Sequence, residues 1–254
     1  MKILLTNDDG IEAAGLHAVY DAIQDLGEVH VVAPARVQSA TSHAITLHRP
    51  IAVVPYACEK FEGYAVDGRP ADCVKLALAE LVGEVDLVIS GINHGANIGI
   101  NVHYSGTVGA AREAAFQGVP AIALSLHLGD KTQQHYARAA AHARKGIGVA
   151  LKAGMPEGVL VNINVPILDN GAEPVGIKAV PLNTAHMYDR YGKSTDADGN
   201  TTYQPVDGML FSDRGEATDV DTLYGRYITL TPLHYEQTDD AALSRLQGSI
   251  DSTV

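Results

Sequence analysis

The chain has 254 residues, of which 46% are hydrophobic and 19% charged, as is typical of a folded globular protein. Its net charge of −12 argues against sequence-independent nucleic-acid binding and against attachment to an anionic membrane, because both need a basic surface. Its two cysteines form no CxxC pair and no apolar run reaches membrane-spanning length, so we expect a soluble, cytoplasmic protein without a disulfide framework.

The first predicted unit is a strand, a helix and a second strand. Residues 2–6 and 29–33 are short apolar strands. Residues 13–26 carry apolar side chains at three- and four-residue spacing, which predicts one buried helix face. Such a unit gives parallel strands with a right-handed crossover. The carboxyl end of the first strand therefore lies at the sheet edge where α/β folds bind ligands.

Asp8 and Asp9 follow this strand in an Asn-Asp-Asp-Gly sequence. One interpretation is an ordinary turn in which an aspartate caps the next helix. The other is a metal site, because adjacent carboxylates repel unless they share a cation, and oxygen ligands suit Mg²⁺ or Mn²⁺. A haloacid-dehalogenase nucleophile needs two aspartates separated by one residue, and an EF-hand needs alternating ligands and a closing glutamate. The sequence excludes both of these sites.

A polar segment, residues 35–45, follows the second strand. One of its hydroxyl groups could complete an oxygen ligand set at the same edge, and an ordinary polar loop is the alternative. Residues 46–66 predict an irregular antiparallel excursion that ends in a short strand. A helix over 71–81 follows Pro70, which suits a helix start, and leads into a third parallel strand.

The stretch of residues 85–118 has the strongest signal of a ligand site. A buried strand candidate at 85–90 leads through a loop rich in Gly, Asn and His into a helix. Ser105, Gly106 and Thr107 fall where this helix begins, and its unpaired N–H groups and positive dipole end suit a phosphate. The alternative is that Ser105 or Thr107 only caps the helix.

The rest of the chain predicts further strands at 120–126, 159–165 and 227–230 and helices at 132–153 and 239–246. Residues 183–224 are polar and rich in Asp, Gly and Tyr, and Asp198-Gly199-Asn200 signals a hairpin turn. This segment has no core of its own. We expect it to form a flexible lid or an arm that packs on another subunit.

Seven motifs occur in order along the chain: TNDDGIEAAGL, VVAPxRxxSAxxHAITLxxP, GRPADCVKLAL, DLVISGINHGANIG, YSGTVGAAREAAFQGVPAIALS, VNINVP and YITLTPL. Together they resemble SurE, the stationary-phase survival family of metal-dependent 5′/3′-nucleotidases and acid-phosphatase-like phosphomonoesterases. The resemblance covers nearly the whole chain, and its motifs are far more specific than a single glycine-rich loop.

The resemblance implies a metal site beside a phosphate site. The implied ligands of one divalent ion per subunit, Mg²⁺ or Mn²⁺, are Asp8, Asp9, Ser39 and Asn93. The implied phosphate-binding residues are Asn97, Ser105, Gly106 and Thr107. The candidate catalytic residues are Asp8, Asp9 and Asn93, and Asp9 is the candidate general base or water-positioning group because a carboxylate beside the metal is within reach. His94 and His103 are not fixed members of the pattern, and we interpret them as loop residues.

Two residues depart from the family pattern. Arg69 replaces the usual Thr in GRPADC and could meet a nucleotide phosphate or base. Asn101 replaces an acidic residue that commonly precedes YSGT, which removes a charge and could weaken metal affinity.

We therefore expect an α/β fold: a Rossmann-like three-layer core with a mostly parallel sheet, plus C-terminal hairpin and helix extensions. Residues 1–182 would form the catalytic core. Residues 183–254 would supply a hairpin arm, a returning strand and a C-terminal helix. The resemblance implies that these extensions are exchanged in a homodimer or homotetramer.

The expected function is metal-dependent hydrolysis of phosphomonoesters, chiefly nucleoside 5′- and 3′-monophosphates. The expected partner is this small molecule, with no nucleic acid and no membrane. One alternative is a nucleotide-binding module with little or no turnover, which only Asn101 and Arg69 favour. A dinucleotide-dependent oxidoreductase is a third hypothesis, but no GxGxxG follows the first strand.

Overall fold

The computed structural model describes residues 1–129, 135–206 and 211–251. This part of the chain contains eleven strands and six α-helices. The strands are β1 Lys2–Thr6, β2 Glu28–Pro34, β3 Val53–Ala57, β4 Glu62–Val66, β5 Leu87–His94, β6 Ala121–Leu126, β7 Val159–Val165, β8 Gly176–Ala179, β9 Tyr191–Thr195, β10 Thr201–Pro205 and β11 Tyr227–His234. The helices are α1 Ala14–Ile23, α2 Pro70–Leu76, α3 Gly106–Phe116, α4 Tyr136–Ala153, α5 Asp219–Tyr224 and α6 Asp240–Asp251.

Nine of the strands form one sheet in the order β3-β4-β2-β1-β5-β6-β7-β11-β8. The six strands from β4 to β7 in this order are parallel to one another. Strand β3 runs antiparallel to β4, and β11 runs antiparallel to β7 and parallel to β8. The prediction of an α/β fold with a mostly parallel sheet is therefore confirmed.

Helices cover both faces of the sheet and make the predicted three layers. Helix α1 packs beside α4 on one face, where Leu16, Val19 and Ile23 join a buried cluster with strand side chains. Helix α2 packs beside α3 on the other face. The buried alanines of α3 let that helix approach the sheet closely. Helix α1 directs its apolar face inward, as the spacing of apolar residues in 13–26 predicted.

Strand β5 is longer than the predicted strand at 85–90 and reaches His94. The polar sequence after Ser90 is typical of a loop, but β6 continues to pair with it as far as His94. The register shifts between Ser90 and Asn93, so the pairing passes an irregularity and resumes. Hydrogen bonds to the neighbouring strand therefore override the local composition here.

Two elements have no counterpart among the predicted ones. Strand β8 has only four residues and is half-exposed, so it carries little apolar pattern. Helix α5 has six residues, and its first residue, Asp219, accepts a hydrogen bond from the distant Gly99 N–H at 2.8 Å. The predicted helix over 71–81 is confirmed, with a π-helical turn at Ala77–Leu81.

The C-terminal part contains the predicted hairpin. Strands β9 and β10 pair antiparallel around the Asp198-Gly199-Asn200 turn and form a separate two-stranded sheet. Strand β11 enters the main sheet, and α6 is longer than the predicted 239–246. Residues 132–134 of the predicted helix at 132–153 lie outside the described residues, and α4 matches the prediction from Tyr136 to Ala153. Within the ranges given above, no helix has the length and apolar character needed to cross a membrane.

Candidate metal and phosphate site

The carboxyl ends of four parallel strands bring polar residues together. Asn93 on β5 lies beside Ser125 on β6, and Ser125 lies beside Asn164 on β7. Asp8 and Asp9 directly follow β1, which pairs with β5. The Asp-Asp turn and the loop after β5 therefore share one sheet edge, as expected for parallel strands.

A cavity of about 170 Å³ opens at this edge. The residues that line it are Asp8, Ser39, Ala40, Asn93, His94, Asn97, Asn101, Tyr104 and Ser105. Asp9 and Thr107 each contact a lining residue without lining the cavity themselves. The structure thus gathers most of the residues that the family resemblance singled out.

Asp8 is buried, with 4% of its surface exposed. The Thr107 hydroxyl donates to Asp8 Oδ1 at 2.5 Å, and the Thr107 N–H donates to Asp8 Oδ2 at 3.1 Å. Burial raises the pKa of Asp8 to about 6, the Thr107 hydrogen bonds oppose this rise, and the neighbouring Asp9 charge adds to it. A charged Asp8 is therefore poorly stabilised by the protein alone.

The contacts of Thr107 correct one expectation from the sequence. We expected its hydroxyl and N–H to bind the substrate phosphate, but Thr107 is fully buried and gives both donors to Asp8. A Cβ on Gly106 would come within 3.0 Å of Asp8 Oδ2 as well. The N-terminus of α3 does hold an anion, as helix dipoles favour, but that anion is a carboxylate of this chain.

Ser105 and Asn97 have defined partners beside the cavity. The Ser105 hydroxyl accepts a hydrogen bond from the Val108 N–H at 3.1 Å, so Ser105 is the cap of α3 that the sequence left open as an alternative. The Asn97 amide nitrogen donates to Ser125 Oγ at 2.9 Å. Both residues line the cavity, and their binding of phosphate remains a prediction.

Asp9 and Asn93 are half-buried at the same edge. Asp9 Oδ2 accepts a hydrogen bond from the His94 N–H at 3.0 Å, and burial raises the pKa of Asp9 while this contact opposes the rise. The Asn93 Nδ2 donates to the Gly95 carbonyl at 2.8 Å. Since no donor among the described residues bonds to Asn93 Oδ1, this oxygen is available as a ligand.

Ser39 lies in a loop that backbone hydrogen bonds tie to the site. The Gln38 N–H donates to the Asp8 carbonyl at 2.7 Å, and the Ser42 N–H donates to the Tyr104 carbonyl at 3.0 Å. The loop therefore contacts both the Asp-Asp turn and the segment before α3. These contacts hold Ser39 at the cavity, where its side chain is exposed.

The two departures from the family pattern occupy different positions. Asn101 lines the cavity, whereas Arg69 is exposed, lies outside the lining, and donates to Gln38 Oε1 at 3.3 Å. From the sequence we interpreted His94 as a loop residue, but it lines the cavity. Its Nδ1 lies 2.5 Å from the Tyr136 hydroxyl. No local pattern points to Tyr136, because that contact joins residues 42 positions apart.

Known proteins match this chain over most of its length. The family model described as survival protein SurE matches residues 3–189. This chain belongs to the SurE family. The chain is 43% identical to the 5′-nucleotidase SurE of Rhodopirellula baltica, over 97% of this chain and 98% of that protein. It is 41% identical to the 5′-nucleotidase SurE of Syntrophobacter fumaroxidans, over 94% and 95%. The SurE crystal structure from Aquifex aeolicus matches with a TM-score of 0.84 and 31% identity, over 97% and 98%.

The donor set of this SurE family member fits a divalent metal. Asp8, Asp9, Ser39 and Asn93 offer carboxylate, hydroxyl and amide oxygens, which are the ligands that Mg²⁺ and Mn²⁺ prefer. A cation would also offset the burial that raises the pKa of both carboxylates. In the described ranges, no three His, Cys, Asp or Glu side chains are grouped to hold a metal. A metal at this edge therefore needs the neutral oxygens as well as the two aspartates.

Proposed function

We propose that this chain is a 5′-nucleotidase that hydrolyses nucleoside monophosphates to nucleoside and phosphate, with one Mg²⁺ or Mn²⁺ ion at the carboxyl edge of its sheet. The observation that carries the proposal is the pair of adjacent carboxylates beside a cavity lined by neutral oxygen ligands. The relatives that are about 40% identical over nearly the full length carry the name 5′-nucleotidase SurE, which supports the same activity.

Each residue has a proposed task at this site. Asp8, Asp9, Ser39 and Asn93 would hold the ion, which when bound polarises the phosphoryl group and lowers the pKa of a water. Asp9 positions the attacking water and accepts its proton. Asn97 and Ser105 bind the phosphate from the cavity wall, together with the N-terminal backbone of α3 at Gly106. Thr107 fixes Asp8 through its two hydrogen bonds.

The proposal extends to location and assembly. A cytoplasmic location rests on the sequence alone. A homodimer or homotetramer is supported by exposed apolar side chains in the C-terminal part, among them Tyr203 on β10 and Leu246 on α6.

The second candidate is a nucleotide-binding module without turnover. The observation that favours it is Asn101, a neutral residue in the cavity lining where the family commonly has an acid. A weaker field around the metal would leave nucleotide binding intact and remove the chemistry. The two candidates differ in phosphate release and not in binding.

The decisive experiment measures phosphate release from AMP by chelator-treated protein, with and without added Mn²⁺, beside calorimetric binding of AMP. We expect release only with the metal, and its near-complete loss in Asp9→Asn. Binding of AMP without release would establish the binding module. Phosphate release that persists in the presence of the chelator would contradict the proposed metal dependence. Comparison of 5′-AMP, 3′-AMP and p-nitrophenyl phosphate would then rank the substrates.

A further inference from the structure

Two buried asparagines of β7 hold the backbone of Asn97. Asn164 Oδ1 accepts from the Asn97 N–H at 2.8 Å, and Asn164 Nδ2 donates to the Asn97 carbonyl at 3.0 Å. Asn162 Nδ2 donates to the same carbonyl at 2.7 Å. Both backbone polar groups of Asn97 are therefore paired, as a neighbouring strand would pair them, but the partners are side chains.

The side chain of Asn97 is held from a third residue. Its Nδ2 donates to Ser125 Oγ at 2.9 Å. An amide nitrogen carries two hydrogens, so one remains for a ligand in the cavity that Asn97 lines. Asn97 is 4% exposed, and Ser125, Asn162 and Asn164 are fully buried.

The sheet register explains how these residues meet. Asn162 and Asn164 are two positions apart on β7, so their side chains point to the same face. Ser125 lies beside Asn164 on one side and beside Asn93 on the other. One polar row therefore connects the proposed metal ligand Asn93 with the residues that hold Asn97.

The energetics indicate a role for this row beyond stability. Burying an amide is unfavourable unless its polar atoms are paired. Asn162 Oδ1 has no hydrogen-bond partner in the described ranges, so only the amide nitrogen of this side chain is paired. This nitrogen donates to the Asn97 carbonyl. This arrangement favours the orientation of one loop residue over the stability of the sheet.

We propose that Asn162, Asn164 and Ser125 are positioning residues for Asn97, and that they set the affinity of the site for the substrate phosphate without affecting the metal. This inference rests on the proposed function, in which Asn97 binds phosphate. It predicts that loss of any of these hydrogen bonds weakens phosphate binding while Mn²⁺ binding is kept.

The chain offers closely matched variants. Ser125→Val and Ser125→Thr place side chains of nearly equal shape at this position, and only the threonine keeps the hydroxyl. Asn164→Ala removes the two bonds between Asn164 and the Asn97 backbone and leaves the bond from Asn162. The controls are Thr229→Val and Thr231→Val, because these fully buried threonines pair with Asn164 and Asn162 in the sheet while their hydroxyls bond to no described residue.

The test measures the inhibition constant of inorganic phosphate against AMP hydrolysis at saturating Mn²⁺, and separately the Mn²⁺ activation constant. Ser125→Val and Asn164→Ala should raise the phosphate constant about tenfold, because a net hydrogen bond of about 1.4 kcal/mol corresponds to one factor of ten. Ser125→Thr and both threonine controls should stay near wild type. The Mn²⁺ constant should be unchanged in every variant.

Equal phosphate constants for Ser125→Val and Ser125→Thr would overturn the inference, and so would a parallel loss of Mn²⁺ affinity or an equal effect in the controls. If Asn164→Ala does not fold, the Ser125 pair decides. If the wild type hydrolyses no AMP, the proposed function fails. Calorimetric binding of inorganic phosphate with Mn²⁺ by the same variants then decides the inference separately.

Discussion

Asp8 is a buried acid beside a second carboxylate, Asp9, at the candidate site. Its carboxylate is buried, and its pKa of about 6 stands above the ordinary 3.8 of an unfolded chain. The folded protein therefore binds more protons than the unfolded chain between these values, so stability falls as the pH rises through this window. In metal-free protein, the free energy of unfolding is lower by roughly 3 kcal/mol above this pH window than below it, at 1.36 kcal/mol for each pKa unit.

The first prediction concerns Asp8→Asn. Without metal, this variant should melt at a higher temperature than the wild type at pH 7, because it removes a buried charge. The advantage should shrink as the pH falls towards 4, where the wild-type carboxyl is protonated. Added Mn²⁺ should stabilise only the wild type, and the variant should lose most activity. Thermal melts across this pH range, with chelator and with Mn²⁺, check each point. A pH-independent advantage would show that the charge is not its cause.

The second prediction concerns Thr107, which holds Asp8 by two hydrogen bonds. Thr107→Val removes a bond to a charged group, worth about 1.5–3 kcal/mol, and should lower both Mn²⁺ affinity and kcat/KM roughly ten- to a hundredfold. Thr107→Ser keeps the hydroxyl and should retain most of both. Asn93→Ala should lose Mn²⁺ as well, because it removes a proposed ligand. Unchanged Mn²⁺ affinity in Thr107→Val would instead support a direct phosphate contact.

At the scale of elements, the start of helix α3 is the decisive local structure. It presents the N–H and the hydroxyl of Thr107, and a glycine, to the Asp8 carboxylate, with Ser105 as the cap. The close approach depends on the absence of a side chain at Gly106, where a Cβ would meet Asp8 and Thr41 at 3.0 Å. Helix and carboxylate are therefore packed as one unit.

The third prediction compares two glycine variants. Gly106→Ala should displace Asp8 or the Thr41 loop and lower both Mn²⁺ affinity and AMP hydrolysis. Gly148→Ala is the matched control, because its Cβ in α4 would meet only Arg144 at 3.9 Å. The control should keep full activity and gain up to about 1 kcal/mol of stability, since alanine favours helices over glycine. Activity and Mn²⁺ titrations of both variants test this, and a fully active Gly106→Ala would refute the packing argument.

Local patterns were sufficient to predict most elements. The first strand-helix-strand unit, the hairpin and the helix after Ser105 follow from apolar spacing and turn residues within a few positions. The short α5 escaped prediction, because Asp219 bonds to Gly99, 120 positions away. Strand β5 escaped full prediction because pairing with β6 overrides a polar sequence.

The candidate site likewise combines features that local patterns predict with features that depend on long-range contacts. The sequence placed Asp8, Asp9 and Asn93 at one edge because they follow parallel strands. It could not give the partner of Thr107, which lies 99 residues away, or the bond from Asn162 to Asn97, which spans 65. Such contacts depend on sheet register and helix placement, which no local pattern encodes.

At the scale of the whole molecule, the C-terminal part exposes apolar side chains. Leu243, Leu246 and Ile250 lie three and four positions apart on α6 and are 43%, 64% and 62% exposed. Such spacing gives one apolar stripe on a helix. The hairpin adds the exposed Tyr191 and Tyr203. These surfaces support the proposed assembly.

The fourth prediction is that the protein is a dimer or tetramer at micromolar concentration. Leu246→Glu places a charge within the stripe of α6 and should shift the assembly towards smaller species. Glu236→Gln, an exposed change outside the stripe, is the control and should have no effect. Light scattering after size-exclusion chromatography measures both. A monomeric wild type would count decisively against the proposed role of residues 183–254.

The net charge of the chain bears on how an anionic substrate reaches the site. A chain with a net charge of −12 repels an anionic nucleotide at long range, and the proposed metal ion would offset this repulsion at the paired aspartates. The most direct test is anomalous diffraction at the manganese edge, from crystals grown with Mn²⁺ and inorganic phosphate. We expect one strong peak per chain, coordinated by Asp8, Asp9, Ser39 and Asn93, with phosphate beside it. A peak coordinated by other side chains, or none at this edge, would contradict it.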